Sequence, residues 1–424
     1  MRGRFNLWTH LVSRFLNRSI KNGSLTLSFP DGTVRRFGKG NPQIAATITR
    51  PSTVRRIAFH PDLAVGEAYM NGSLRIDDGD IYTFLELVLR NLGDAKSSPV
   101  RRIWLAIRRN TRPFTLFNPK GRAARNAAHH YDLTDELYTS FLDADRQYSC
   151  AYFAAADDTL EQAQLRKKRH IAAKLLLQPG QQVLDIGSGW GGLGLYIARS
   201  FAADVLGVTL STEQHAVSTQ RVQAEGLEDR VHFEIRDYRD LNERFDRIVS
   251  VGMFEHVGVN HYRTFFEKCA TLLKPDGVMV LHSIGRFGVP CATAAFIRKY
   301  IFPGGYIPAL SEVFPAIEKA GLMTTDVEIL RLHYADTLKH WRERFLANWS
   351  RAAAIRDERF CRMWEFYLAG SEVAFRHQHL VVLQIQLARR IDTLPLTRAY
   401  IAREEARLAG LDRLDGGAHR MAGE

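Results

Sequence analysis

Residues 183–192, VLDIGSGWGG, run an apolar stretch into Asp185 and then into a turn that holds Gly187, Gly189, Gly191 and Gly192. Glycine permits positive φ and places no Cβ between backbone and ligand, and the helix expected after the turn presents unsatisfied N–H groups. That combination suits a nucleotide. Upstream, QYSCAYF (147–153) presses Ser149 and Cys150 between aromatic rings, where the thiol is a nucleophile, a metal ligand or part of a wall. Downstream, Glu255 follows the apolar run FDRIVSVGMF (245–254), a place where a carboxylate is costly to bury without partners. An N-cap or a surface position is the plain alternative for it. His282 closes a further apolar run and is either a site residue or a core histidine with its hydrogen bonds met. His129-His130 has no third ligand at metal-binding spacing, so packing is the better reading and no metal is expected.

A glycine turn alone does not choose its ligand, because a dinucleotide fold carries one too. The spelling G-S-G-W-G fits the methyltransferase form of the loop, which holds a methionine carboxylate rather than a pyrophosphate. After the next apolar run, where most class I methyltransferases carry an acidic residue for the ribose hydroxyls, this chain has GVTLSTEQ (207–214), so Thr209 and Gln214 must replace it. Asp237 and Tyr238 follow the third run, at the place of an adenine contact. Asp185, Gly187, Gly189, Gly191, Thr209, Gln214, Asp237 and Tyr238 are therefore candidate cofactor-binding residues.

Five segments between about 175 and 285 must position them: QVLDIGSGWGG, DVLGVTL, VHFEIRDY, FDRIVSVGMF and GVMVLHSI. Each is an apolar run, and turns and helical spacing separate them, which is the pattern of βα units in a parallel sheet. From about 337, LKHWRERFLANW and FYLAGSEVAFRHQHLVVLQIQLARR read as helical by period, with Glu372 and Arg376 at i, i+4. Ahead of the sheet, RFNLWTHLVSRFLNR (4–18) reads as a basic amphipathic helix, and SLTLSFPDGTVRRFG (24–38) as a hairpin turning at Pro30-Asp31-Gly32. The stretch 96–128 reads as a linker. The expected organisation is a basic N-terminal domain over 1–125, a catalytic domain over 126–403 and a flexible tail over 404–424.

The 424 residues, 46% hydrophobic and 25% charged, are ordinary for globular protein. Four scattered cysteines without a C-x-x-C pair argue against a disulfide framework and a zinc site, and fit a reducing cytoplasm. No apolar run is long enough to span a bilayer, and the N-terminus lacks the apolar stretch of a secretory signal. Residues 1–125 carry 22 Lys and Arg against 8 Asp and Glu, and the rest 36 against 38. Such asymmetry points to an anionic partner, a membrane surface or a nucleic acid.

HYDLTDELYTSFLDADRQYSCAYF (130–153), LDIGSGWGG, GVTLSTEQ, SVGMFEHVG (250–258), LHSIG (281–285) and HYADTLKHW (333–341) occur in an order and spacing that resembles the cyclopropane-fatty-acyl-phospholipid synthase family, related to the mycolic acid cyclopropane synthases. GEAYMNGSLRIDD (66–78) looks like a segment of the N-terminal domain of its longer bacterial members. The resemblance implies an α/β class I methyltransferase (Rossmann-like) mostly parallel sheet with helical lid elements, plus a smaller basic N-terminal α+β domain. It implies S-adenosyl-L-methionine as donor, with Tyr131, Tyr148 and Ser149 joining the cofactor set, and the cis double bond of a phospholipid acyl chain as acceptor. Attack by an alkene leaves a carbocation, which aromatic faces stabilise. Tyr131, Tyr148, Phe153, Phe254 and Tyr334 are candidates for that role.

The resemblance also implies a bound bicarbonate as the base that closes the ring, contacted by Cys150, Glu255, His282, Ile284 and Tyr334, the cysteine and isoleucine through backbone groups. A free thiolate would trap a carbocation, which favours the wall reading of Cys150. The expected setting is a peripheral, cytoplasmic enzyme at an anionic membrane surface, with dimerisation or bracing as the other role for residues 1–125. A methyl-branched or methylene product is the alternative outcome. An RNA methyltransferase is remote, because an RRM-type RNP motif, a KH GXXG loop and an N-P-P-Y-like motif are lacking and no nucleic-acid partner is expected.

Overall fold

The computed structural model describes residues 6–94 and 135–421. The expected linker (96–128), the 125/126 boundary, His129-His130 and Tyr131 lie outside the described residues. No described helix is long and apolar enough to cross a membrane.

The first unit builds a four-stranded sheet from β1 (Gly23–Ser28), β2 (Val34–Lys39), β3 (Gln43–Ile48) and β4 (Leu74–Asp78), in the order β2-β1-β3-β4. β1 and β2 form the expected hairpin: Phe29 N–H bonds Thr33 O at 2.8 Å, and Gly32 takes the positive φ (+81°) that the turn requires. Helices Leu7–Ser19, Pro51–Phe59, Pro61–Met70 and Ile81–Asp94 surround it. Val12 and Leu16 of the first helix enter the core, whereas Leu7, Leu11 and Phe15 are 42–52% exposed along its other side.

This unit is docked on the rest of the chain. A Cβ on Gly66 would sit 2.4 Å from the Phe296 ring and 2.8 Å from Phe366, so only glycine lets helix Pro61–Met70 approach that closely. Beside it Tyr69 OH donates to Glu365 (2.6 Å), and buried Glu67 accepts from Lys299 and Tyr300 OH at 2.7 Å each. The GEAYM spelling is thus a seam between units.

The second unit holds seven strands: β5 (Gln182–Ile186), β6 (Asp204–Thr209), β7 (Val231–Ile235), β8 (Phe245–Val251), β9 (Leu273–Arg286), β10 (Met323–Leu330) and β11 (Leu380–Ala388). Their order is β10-β11-β9-β8-β5-β6-β7; β5 to β9 run parallel and β11 is antiparallel to both neighbours. This is the class I methyltransferase topology, and the order reverses between β5 and β8, where an open α/β sheet binds its ligand.

Two expectations are corrected. The stretch LVVLQIQLA (380–388) is strand β11 rather than helix; all nine residues are buried, and a run buried on both faces carries no clear period. Of the expected flexible tail (404–424), residues up to 412 are docked: helix Ala399–Met421 buries Leu408 and pairs Glu405 with His170 (2.7 Å) and Asp412 with Arg169 (2.6 Å).

Candidate active site

The sequence-selected residues gather at the C-terminal ends of neighbouring strands. β5 leads into the glycine turn and helix Gly192–Phe201, β6 ends at Thr209, β7 precedes Asp237, β8 precedes Glu255, and β9 carries His282 and Ile284. Gly187 and Ser188 N–H both bond Val208 O, at 2.9 and 3.1 Å, which ties the turn to β6.

The three glycines differ in why they are needed. A Cβ on Gly187 would lie 2.8 Å from Met253 Cβ, and one on Gly191 would lie 2.7 Å from the Phe233 ring. A Cβ on Gly189 would meet no protein atom within 4 Å, although its φ of +56° still favours glycine. Packing fixes the outer two, and the middle one opens away from the protein. Ser188 Oγ beside it is buried with no hydrogen-bond partner among the described residues.

Thr209 Oγ1 donates to Gln214 Oε1 (2.8 Å) and accepts from Ser211 N–H (3.2 Å), which fixes the Gln214 amide. The pair presents an amide where related folds present a carboxylate. Asp237 binds the guanidinium of Arg239 at 2.5 and 2.8 Å, and Tyr238 packs edge-on against Phe265. Burial raises the Asp185 carboxyl to about 7, opposed by the charge of Lys167.

Lys167, on helix Leu160–Lys174, was not legible as a site residue. It is 1% exposed, its Nζ donates to Gln147 Oε1 (2.5 Å) and Ser149 Oγ (2.8 Å), and burial brings its pKa down to about 8. Gln164, one turn earlier, donates to Ser149 O at 3.0 Å. Together they stitch the 147–150 segment onto helix Leu160–Lys174. Tyr148 stacks on Trp341 with ring centres 5.1 Å apart, and its hydroxyl lies 2.9 Å from that of Tyr367. Tyr334 packs on Trp341 and Phe375 in the same buried aromatic cluster, and Phe153 packs against that cluster. Phe254 does not join them. It stacks on Tyr262 at 4.3 Å inside the sheet core, so the candidate cation-facing role is withdrawn for it.

Glu255 is 8% exposed, in a single 3₁₀ turn after β8. Its Oε1 accepts from Ile284 N–H at 2.6 Å, whereas Oε2 is buried with no hydrogen-bond partner among the described residues. Burial raises the carboxyl to about 7 against the pull of that N–H. Ile284, expected to offer a backbone group to an ion, uses its N–H on Glu255.

His282 is 2% exposed, and its Nδ1 lies 3.2 Å from Gln384 Nε2 on β11. Lys174 Nζ donates to Gln384 Oε1 (2.8 Å), so the amide turns its NH₂ toward the imidazole. Nδ1 then accepts, and the ring proton sits on Nε2. Burial, with the charges of Lys167 and Lys174, holds the pKa well below the usual histidine value. His282 is a fixed neutral donor.

Cys150 is 1% exposed, its Sγ donates to Ala151 O (3.3 Å), and burial pushes the thiol far above its usual range. Burial of this kind disfavours the thiolate that a nucleophile needs. Cys150→Ser therefore keeps most of the activity, within about fivefold of wild type, because the swap preserves size and the hydroxyl can keep the bond to Ala151 O. Complete loss in a folded variant, together with a thioether adduct by mass spectrometry, would overturn the wall assignment.

Glu372 and Arg376 do more than pair along one helix. Buried Glu372 accepts from Arg342 Nε (3.0 Å) and Arg376 Nε (3.1 Å), and Arg376 reaches Asp336 (2.9 Å), which locks helix Glu358–His377 to helix His333–Ala347 behind the aromatic cluster.

Comparison with known proteins agrees with this geometry. The family model described as mycolic acid cyclopropane synthetase matches residues 118–385, and a model described as a domain of unknown function matches 11–98. The chain is 40% identical to the cyclopropane-fatty-acyl-phospholipid synthase of Escherichia coli K12, over 81% of this chain and 88% of that one. It is 38% identical to a probable fatty acid methyltransferase of Pseudomonas putida (85% and 91%) and 36% identical to a tuberculostearic acid methyltransferase of Mycobacterium tuberculosis (89% and 91%). Among solved structures, a cyclopropane synthase of M. tuberculosis aligns with a TM-score of 0.61 at 34% identity, covering 64% of this chain and 99% of that one. A mycolic acid cyclopropane synthase complexed with S-adenosylhomocysteine and CTAB aligns at 0.60, with the same identity and coverage. The parallel sheet with its glycine turn, and a match spanning most of the chain, lead to one conclusion: the chain belongs to the mycolic acid cyclopropane synthetase family of S-adenosylmethionine-dependent methyltransferases.

Proposed function

We propose that the protein transfers a methylene unit from S-adenosylmethionine to the cis double bond of an unsaturated acyl chain in membrane phospholipid, closing a cyclopropane ring. The observation that carries the reading is Glu255, a buried carboxyl with one oxygen lacking a partner, bonded to Ile284, which packs against an aromatic cluster. The residues fit both small molecules: Ser188 Oγ and the space at Gly189 suit the methionine end of the donor, and Glu255 Oε2 with the donor His282 suits a small oxyanion. When bound, the sulfonium supplies an electrophilic methyl and bicarbonate a base. The chain's own residues do the rest. Lys167 and Gln164 hold the 147–150 segment, Tyr148, Trp341 and Tyr334 exclude water and face the cation, and Glu255 with Tyr334 and the His282 N–H places the base.

Docking on the bilayer is proposed for the first helix. Leu7, Leu11 and Phe15 form an exposed stripe at i, i+4, i+8, with Arg14 and Arg18 on the same helix. Residues 95–125 add nine Lys and Arg and no acid, each cation contributing about 1 kcal/mol near an anionic surface.

The test is expression in a host without such lipids, with wild type and Leu11→Glu/Phe15→Glu compared. Wild type yields lipids enlarged by CH₂ with upfield cyclopropyl proton signals, and the variant, with normal cofactor binding, sediments poorly with anionic vesicles. Vinylidene signals or a gain of CH₄ would instead support the methylene or methyl-branched product, an outcome favoured by the similarity to two fatty acid methyltransferases. Equal vesicle binding by the two proteins would remove the docking role.

A further inference from the structure

A cavity of about 400 Å³ lies at the seam between the two units, away from the strand ends, with Arg50, Arg56, Arg359 and Arg362 in its lining. Two of these arginines come from the first unit. The other two stand i, i+3 on helix Glu358–His377. Glu67 is the single carboxylate of the lining, and it is consumed: Arg56 pairs with one oxygen, Lys299 and Tyr300 OH with the other, and these partners hold it ionised despite its burial.

Arg56 is paired with Glu67 and Arg362 with Glu358, which leaves Arg50 and Arg359 without a carboxylate partner among the described residues, and like charges that face one concavity repel unless an anion joins them. Their hydrogen bonds orient them rather than exhaust them. Arg359 uses Nε on Asn71 Oδ1 (2.8 Å), and Arg362 uses Nε on Met70 O (3.2 Å) with a long Nη1 contact to Glu358 (3.4 Å). A guanidinium anchored through Nε keeps a terminal N–H edge as a fork, which matches phosphate oxygens in pairs. The N-terminus of helix Pro51–Phe59 adjoins the cavity through Ser52 and Thr53 with no side chain capping it, and its dipole adds positive potential.

Among the described residues no aromatic ring lines the cavity to stack on a base. We propose that it is a phosphate-binding site that takes the phosphodiester head group of a membrane phospholipid. The choice of a lipid over another phosphate ester rests on the reaction proposed above. The placement is apt, because the helix that carries Arg359 and Arg362 buries Cys361, Trp364 and Leu368 in the aromatic cluster. One helix thus separates head-group site from acyl chamber.

The test uses the full-length protein and Arg50→Gln/Arg359→Gln, with Arg35→Gln/Arg75→Gln as a matched loss of charge elsewhere on the first unit. Calorimetry with dihexanoyl phosphatidylglycerol should show binding to wild type that weakens at least about tenfold in the cavity variant only, as the loss of two bidentate contacts requires. The vesicle KM should rise by a similar factor, with S-adenosylhomocysteine affinity kept. Equal lipid affinity in both variants and wild type would overturn the site. Inorganic phosphate binding that the cavity variant loses, with its short-chain lipid affinity unchanged, would assign the cavity to a free phosphate ester and overturn the head-group assignment. If wild type turns over no lipid at all, the proposed reaction fails, while calorimetry with the short-chain lipid still decides the cavity.

Discussion

Glu255→Gln lowers turnover by about a hundredfold or more while leaving affinity for S-adenosylhomocysteine within about twofold of wild type, as loss of a group that positions the base does. The substitution keeps size and the acceptor for Ile284 N–H, and removes only the ionisable oxygen that lacks a partner. The same change should stabilise the fold at alkaline pH. Burial raises this carboxyl from 4.5 to about 7, so the folded state binds the proton more tightly than the unfolded chain does. Stability is therefore lost as pH climbs from about 4.5 to 7 and stays reduced above, by up to about 3 kcal/mol. Glutamine carries no such penalty. The Tm of the variant should match wild type near pH 4.5 and exceed it at pH 8. Activity lost where stability is gained marks a group kept for chemistry, whereas wild-type turnover by the variant would make Glu255 a packing residue.

The parts of this site legible in the sequence were those where one local feature does one thing. A glycine turn after an apolar run needs positive φ and closeness to a ligand, and Gly187, Gly189 and Gly191 supply both in their own spelling. Strand ends could be counted off, so Thr209, Asp237, Glu255 and His282 fell on one edge of the sheet. What stayed hidden depends on tertiary partners. Lys167 and Lys174 sit in the basic stretch LRKKRHIAAK; Ser149 and Gln147 for the first, and Glu328 and Gln384 for the second, make their burial tolerable, and all four lie elsewhere in the chain.

Strand β11 was hidden for the opposite reason. Its two glutamines break an apolar run that is buried on both faces of the sheet, and each has a buried partner, Lys174 for Gln384 and Tyr400 OH for Gln386 (2.5 Å). Phe254 and Glu255 show that neighbours in sequence need not share a cavity. One 3₁₀ turn sends the ring into the core among Tyr262, Phe265 and Phe266 and the carboxyl to Ile284. The helix Ala399–Met421 is charged along most of its length, and its docking through Leu408, Glu405 and Asp412 is visible only against helix Leu160–Lys174.

Gly189→Val abolishes most cofactor binding, weakening S-adenosylhomocysteine by about a hundredfold, roughly 2.7 kcal/mol, while the fold survives. A valine in the left-handed region costs about 1–2 kcal/mol of backbone strain, which lowers Tm by a few degrees. No packing cost is added, because the new Cβ meets no protein atom within 4 Å. At Gly187 the same experiment would be uninterpretable, since a Cβ there lies 2.8 Å from Met253 Cβ and the turn itself must shift. A control of equal strain exists in the loop before β5: Gly180 has φ +73° and likewise nothing within 4 Å of its Cβ. Gly180→Val should lose similar stability and keep wild-type affinity. Calorimetry on the two variants separates strain from occlusion, and equal affinity in both would remove the middle glycine from the binding surface.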